Sequence, residues 1–193
     1  MKTILLKGEA RAEVGTRTAK ELRSEGKVPC VMYSNGDVVS HFAIYQADFK
    51  NLVYTHNVYK VLLDINGEKH DAILQDVQFH PVSEAILHAD FLKVGDDMLV
   101  VMEVPVRVVG NSPGVRAGGK LVKKINALKL RGLLKDMPDY VDVSIDTLEI
   151  GQSAKVRHVT IEKLEILNAQ ENAILSVKTT RALMQAAADA SKK

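Results

Sequence analysis

The chain has no tryptophan and one cysteine, and only 5% of its 193 residues are aromatic. So few rings argue against a broad stacking surface for single-stranded nucleic acid. The lone cysteine, Cys30, excludes an internal disulfide and a cysteine-cluster metal site, and makes a reducing, cytoplasmic setting the default. Excess charge of one sign is lacking too: 26 Lys and Arg against 24 Asp and Glu leave +2, which excludes a uniformly charged tail protein. No apolar run approaches the roughly 18 residues that cross a bilayer. The start, Met1-Lys2-Thr3-Ile4-Leu5-Leu6-Lys7-Gly8-Glu9, is charged too early for a secretory hydrophobic segment. What remains is ordinary soluble composition, 46% apolar and 26% charged, with length for one large domain or two small ones.

Apolar periodicity is mostly two rather than 3.6, which predicts a mainly β chain. Val141, Val143 and Ile145 alternate with Asp142, Ser144 and Asp146, as Met102, Val104, Val106 and Val108 do with Glu103, Pro105 and Arg107. Residues 58–65 and 69–75 flank Asn66-Gly67, a two-residue hairpin signal. Leu87, Ala89 and Phe91 are expected on one face of a strand, with His88 and Asp90 on the other. Two helices are expected. Thr16–Glu25 has Thr16 or Thr18 as cap and Gly26 as its left-handed end, and Gln46–Tyr54 spaces Phe49, Leu52 and Val53 helically. The polar, glycine-containing Gly95-Asp96-Asp97 predicts a boundary between a first domain, 1–95, and a second, 96–180. An Ala-rich tail, 181–193, follows.

Charge is segregated. Between Glu103 and Asp136 there is no acidic residue but Arg107, Arg116, Lys120, Lys123, Lys124, Lys129, Arg131 and Lys135; residues 136–149 then carry Asp136, Asp139, Asp142, Asp146 and Glu149 with no base. The basic stretch encloses Gly110–Lys120, rich in Gly and Pro, which is expected to be a long mobile loop able to drape over phosphates. The competing reading is a solvated loop whose cations neutralise the acidic strand. In the first helix Arg17, Lys20 and Arg23 form one stripe, either an anion-facing surface or an ordinary amphipathic one.

The sharpest local sequence is Gln75-Asp76-Val77-Gln78-Phe79-His80-Pro81 with Leu87-His88-Ala89-Asp90-Phe91. Three readings are open: satisfied surface residues; a metal-dependent hydrolase with His80, His88 and Asp90 as ligands; and base recognition. Glutamine offers a donor and an acceptor on one plane, suited to a base edge. Aspartate is repelled by phosphate, so an RNA surface tolerates it only where it accepts from base N–H groups or faces a metal ion. No phosphate-loop spacing, no nucleophile–base arrangement and no cofactor signature is present. Cys30, in Val28-Pro29-Cys30-Val31-Met32, is expected as a core filler.

Glu9-Ala10-Arg11, Gly15-Thr16, Ala19-Lys20-Glu21-Leu22-Arg23, Gly26-Lys27-Val28-Pro29, Tyr33, Gln75-Asp76-Val77-Gln78, His80-Pro81 and His88-Ala89-Asp90-Phe91 form an ordered set. Together they resemble the bacterial large-subunit ribosomal proteins that bind 5S rRNA. Pro105-Val106, Gly110, Gly114-Val115, Gly118-Gly119 and Lys120-Leu121-Val122 resemble the added β domain of the long form, the general stress protein Ctc family. The resemblance implies a non-enzymatic structural component of the large subunit. Its N-terminal domain would be a small β barrel, similar to the anticodon-binding barrel of glutaminyl-tRNA synthetase. That barrel would dock in the minor groove of an internal-loop region of 5S rRNA and help stabilise the central protuberance. The implied RNA-binding residues are Arg11, Arg17, Lys20, Arg23, Tyr33, Gln75, Gln78, His88 and Asp90, with the basic loop residues Arg116, Lys120 and Lys123 touching rRNA elsewhere. The implied partners are 5S rRNA, 23S rRNA and neighbouring large-subunit proteins, for a monomer within the ribosome, with no membrane, metal or cofactor. Two positions depart from the family pattern. Ser34 follows Tyr33 where glycine is usual, and Ala19-Lys20 stands where many members have Ser-Arg, which keeps the charge but loses the bidentate fork.

Overall fold

The computed structural model describes residues 1–34, 37–55, 57–95 and 97–180. The tail expected at 181–193 lies outside the described residues. The chain divides into two compact units, Met1–Val100 with Leu133–Asp139, and Val101–Gly132 with the described residues from Tyr140 on.

The first unit is a closed six-stranded barrel in the order β1 (Lys2–Ala10), β3 (Asp37–Tyr45), β2 (Lys27–Ser34), β6 (Ile86–Lys93), β5 (Glu68–Phe79) and β4 (Tyr59–Ile65), with β4 paired back to β1. Closure leaves no long unpaired edge. Inward positions carry the core: Leu6, Val28, Cys30, Met32, Phe42, Ile44, Val61, Leu63, Ala72 and Phe91 are buried. Phe42 and Phe49 both approach Phe91, with ring centroids 5.7 and 6.4 Å away and tilted planes. Gly8 lets β1 lie against that cluster, since a Cβ there would stand 2.9 Å from the Phe42 ring. The Asn66-Gly67 hairpin forms as expected, with both residues at positive φ and Gly67 N–H donating to Asp64 Oδ1 at 2.9 Å.

The first helix, α1 (Thr16–Ser24), ends as expected at Gly26, φ +78°. Its start differs from expectation. Gly15 occupies the capping position, no side chain caps it, and Thr18 Oγ1 donates to the Gly15 carbonyl instead. The second expected helix is split into a 3-10 turn, Gln46–Phe49, running into the single turn α2 (Lys50–Val53).

Among the described residues the second unit consists of two sheets and two short helical turns, one of them a 3-10 turn at Val156–His158. Strands β7 (Leu99–Val109), β9 (Ala127–Leu133), β10 (Val141–Ser144) and β12 (Glu165–Ile166) form a four-stranded sheet in the order β10-β7-β9-β12. Strands β8 (Lys120–Lys123), β11 (Ser153–Lys155) and β13 (Ala173–Lys178) form a three-stranded sheet in the order β11-β13-β8. Leu128, Leu130, Ile174 and Leu175 are fully enclosed.

The expectation of a long mobile loop at Gly110–Lys120 is overturned. Ser112, buried, accepts from Val115 N–H at 3.2 Å and donates to the Leu148 carbonyl, capping a single turn, α3 (Pro113–Arg116), with Pro113 at its first position. Gly114 lies where a Cβ would stand 2.6 Å from the Glu149 backbone, and one on Gly119 would stand 2.7 Å from the Gly114 carbonyl oxygen. These glycines serve close packing rather than mobility.

Candidate nucleic-acid interface

The strand pair β5–β6 builds the candidate site. On β5, Leu74 and Val77 pack on the core while Gln75, Asp76 and Gln78 are exposed. Strict alternation would send Gln75 and Gln78, three apart, to opposite faces. A bulge resolves this. The register runs Leu74↔Phe91, then Asp76↔Asp90, so Gln75 is the extra residue and stays outside with its neighbour. Gln78 then lies opposite His88, both facing outward.

A second irregularity on β6 corrects the expected face. Gln78 pairs with His88 and Phe79 with Ile86, so Leu87 is the skipped residue. Ile86, at 3% exposed, takes the buried place while Leu87 is only half-buried. Arg23 Nε, from α1, donates to the freed Leu87 carbonyl at 2.9 Å. That bond ties the basic helix to the strand carrying the histidine and the aspartate.

His88 Nδ1 lies 2.6 Å from Asp90 Oδ1. Asp90 faces Asp76 across the strands, and Asp76 Oδ1 accepts from Val77 N–H at 2.9 Å. On the other side β2 runs parallel to β6, with Val31↔Asp90 and Tyr33↔Leu92 in register. Burial, with the Asp90 and Asp76 charges adding to it, raises the Tyr33 hydroxyl above its usual pKa, so it keeps its proton and is a donor. The face therefore presents a phenol donor, two amides and two carboxylates.

The cations are not equivalent. Arg11 is half-buried and points its guanidinium at Thr18 Oγ1 (3.3 Å) and the Glu13 carbonyl (3.4 Å), bracing the start of α1. Arg17 is exposed but pairs with Glu21 one turn on, at 3.1 Å. Arg23 spends its Nε on Leu87. Lys20 is exposed, and its side chain has no hydrogen bond or ion pair among the described residues. In the second unit Lys123 Nζ donates to the Val106 carbonyl at 2.7 Å, which fixes it within the fold. Asp146 is held below the usual carboxylate pKa first by the Asn111 N–H and then by the Ser144 hydroxyl, and the charge of Arg116, exposed at the end of α3, adds to this. Lys120 is exposed, and its side chain has no ion pair or hydrogen bond among the described residues.

The ligand trio of the alternative hydrolase reading, His80, His88 and Asp90, is not assembled. His80 Nδ1 accepts from Val82 N–H (3.3 Å) and Ser83 N–H (3.1 Å), closing the turn between β5 and β6. Among the described residues no group of three His, Cys, Asp or Glu side chains gathers as metal ligands. Cys30 is a core residue as expected, its thiol pushed far up by burial. Asp76 is the site residue that sequence reasoning left out. It stands in the quoted motif, but only the bulged register reveals that it faces Asp90.

Comparison with known proteins bears on both units. Residues 6–91 match the model of the ribosomal L25p family, and residues 99–181 match that of the ribosomal protein TL5 C-terminal domain. The chain is 43% identical over 198 residues to the large ribosomal subunit protein bL25 of Phocaeicola vulgatus, with 100% of both chains covered. It is 43% identical over 197 residues to the protein of that name from Bacteroides thetaiotaomicron, again over 100% of each. The Porphyromonas gingivalis protein of that name is 39% identical over 188 residues, which is 97% of this chain and 98% of the relative.

Proposed function

We propose that the chain, which belongs to the ribosomal L25p family, binds 5S rRNA through the outward face of its barrel. As a large-subunit ribosomal protein it acts in the cytoplasm, as a structural part of the ribosome rather than an enzyme. The observation that carries the reading is the β5 bulge, which gathers Gln75 and Gln78 beside His88 and Asp90. The minor groove of an RNA helix or internal loop is shallow and displays base edges and 2′-hydroxyls. Gln75 and Gln78 can both donate and accept there, Tyr33 donates, and Asp90 and Asp76 accept from base amino groups or 2′-hydroxyls. Lys20 neutralises phosphate, with Arg17 joining once Glu21 is displaced. Arg23 and Arg11 act as positioning residues, holding α1 against the strands that read the groove. The same docking would let the chain brace the central protuberance as a monomer, beside 23S rRNA and neighbouring proteins.

Gel-shift titration of the full chain with 5S rRNA and with a plain duplex of equal length tests this. The cognate RNA should bind more tightly than the duplex. The log–log salt slope should be on the order of −3.5 to −4.5 if about five phosphates are engaged. Equal affinity for the two RNAs would sink the reading.

A further inference from the structure

The second unit's cations sort into two groups. Most are spent internally. Across the four-stranded sheet, Arg107 pairs with Asp142 (2.6 Å), Lys129 with Glu103 (3.4 Å) and Arg131 with Glu165 (3.8 Å). Lys155 (2.5 Å) and Arg157 (2.9 Å) share Glu171, and Lys123 is bonded to the Val106 carbonyl. The five paired charges are neutralised where they stand, and the Lys123 ammonium is tethered to the fold, so these groups offer little to a polyanion.

The three-stranded sheet behaves differently. The β13–β8 register sets Lys178 directly opposite Lys120. Both are exposed, and neither has an ion pair or side-chain hydrogen bond among the described residues. Directly opposed residues hold their Cβ atoms about 5 Å apart, and like charges so placed destabilise a sheet. The backbone beside the pair is fixed by local bonds. Thr180 Oγ1 donates to the Gly118 carbonyl at 3.2 Å, and Gly119 N–H donates to the Gly114 carbonyl at 2.9 Å. The register thus sets two lysines side by side on one face of the sheet, with no ion-pair partner for either among the described residues. A phosphodiester oxygen set between them would relieve the repulsion and gain two charge-assisted hydrogen bonds.

We propose that Lys120 and Lys178 form a clamp for the phosphodiester backbone of ribosomal RNA, a contact separate from the barrel face. The proposal rests on the ribosomal reading above. It moves the RNA contact of this unit from Lys123, which the fold consumes, to Lys178, which sequence order hides 58 positions away.

The test uses the full chain with both lysines changed, Lys120→Gln and Lys178→Gln. A control carrying Lys129→Gln and Arg131→Gln removes equal charge from cations that are already paired. Gel shift on free 5S rRNA should give affinities within about twofold of wild type for both. Large subunits assembled with each variant are then sedimented through sucrose at rising KCl. The clamp variant should leave the subunit at lower KCl than wild type and control, its log–log salt slope smaller in magnitude by about 1.8 for two lost contacts. A photo-cross-linking residue installed at position 120 should capture rRNA. Release at the wild-type KCl concentration, an equal shift in the control, or capture of protein alone would overturn the clamp. Failure of the wild-type chain to bind free 5S rRNA would instead overturn the barrel reading.

Discussion

Asp76 on β5 and Asp90 on β6 are directly opposed across the barrel wall, two carboxylates facing outward. Like charges in that relation cost a sheet some 0.2–1 kcal/mol. His88, beside Asp90 at 2.6 Å, is the local group able to offset the repulsion. A surface that keeps such a pair is suited to a ligand that brings hydrogen-bond donors.

The opposed pair predicts a trade between stability and binding. Asp76→Asn retains an acceptor for Val77 N–H and removes one charge. The free chain should gain about 0.5 kcal/mol, raising the barrel's thermal midpoint by roughly 2 °C. Affinity for 5S rRNA should fall about fivefold, the difference between a charged and a neutral acceptor. Calorimetry with a parallel gel shift checks both. A variant that is less stable and binds as well as wild type would contradict the assignment.

Lys20 and Asp90 are expected to fail differently. Lys20→Ala should weaken cognate RNA and plain duplex alike and lower the magnitude of the salt slope by about 0.9. Asp90→Ala should leave the slope unchanged and erase much of the preference for the cognate loop. Titrations at several KCl concentrations separate the two. Matching effects from the two substitutions would remove the base-reading role of Asp90.

Legibility of this chain followed the range of the interactions. Local signals were read correctly: the Asn66-Gly67 hairpin, the end of α1 at Gly26, and the alternation of Val141 and Val143 with Asp142. Each depends on neighbouring residues alone. Register was not legible. No local rule announces that β5 bulges at Gln75 or that Leu87 is skipped, because a bulge is set by the partner strand. The same blindness hid Asp76 opposite Asp90 and Lys178 opposite Lys120. Charge runs left two readings open for a related reason. The acid-free stretch allowed either phosphate-facing cations or cations that neutralise the acidic strand; Arg107 meets Asp142 as the second reading has it, and Lys129 and Arg131 meet Glu103 and Glu165 across the sheet. Glycine content misled at Gly110–Lys120, where tight packing calls for the same residue that flexibility does.

The segment once expected to be mobile predicts a sharp stability effect. Gly110 has φ +94°, and a Cβ there would collide with the Asp146 carboxylate. That carboxylate cannot retreat freely, since Asp146 Oδ1 accepts from Asn111 N–H at 2.8 Å and Oδ2 from Ser144 Oγ at 2.8 Å. Gly110→Ala should therefore cost about 2 kcal/mol or more, combining backbone strain with the displaced hydrogen bonds. Gly151→Ala, also at positive φ (+87°) but with nothing within 4 Å, should cost only the strain. Urea unfolding of the two variants checks the order. Equal destabilisation would show that the Asp146 contact contributes nothing.

The last prediction concerns acid. Asp142 is held below the usual carboxylate pKa, first by its hydrogen bonds from Arg107 and then by the Arg107 charge. The pairing is bidentate, Nε to Oδ1 at 2.6 Å and Nη2 to Oδ2 at 2.7 Å, with the guanidinium also 5.3 Å from the Tyr140 ring centroid. A carboxyl whose folded pKa is depressed stabilises the fold above its unfolded pKa, near 4. That contribution is lost as pH falls from there through the lower folded value. Arg107→Gln removes the depression, so its thermal midpoint should lie below wild type from neutral pH down to about 4. Below pH 4 the two midpoints should converge as wild-type Asp142 takes up its proton. Asp142→Asn should behave in the same way, and combining the two should add little, because they remove one interaction. Scanning calorimetry from pH 2 to 7 reads the gap directly. A gap as wide at pH 2 as at pH 7 would mean that Arg107 acts through packing on Tyr140 and not through Asp142.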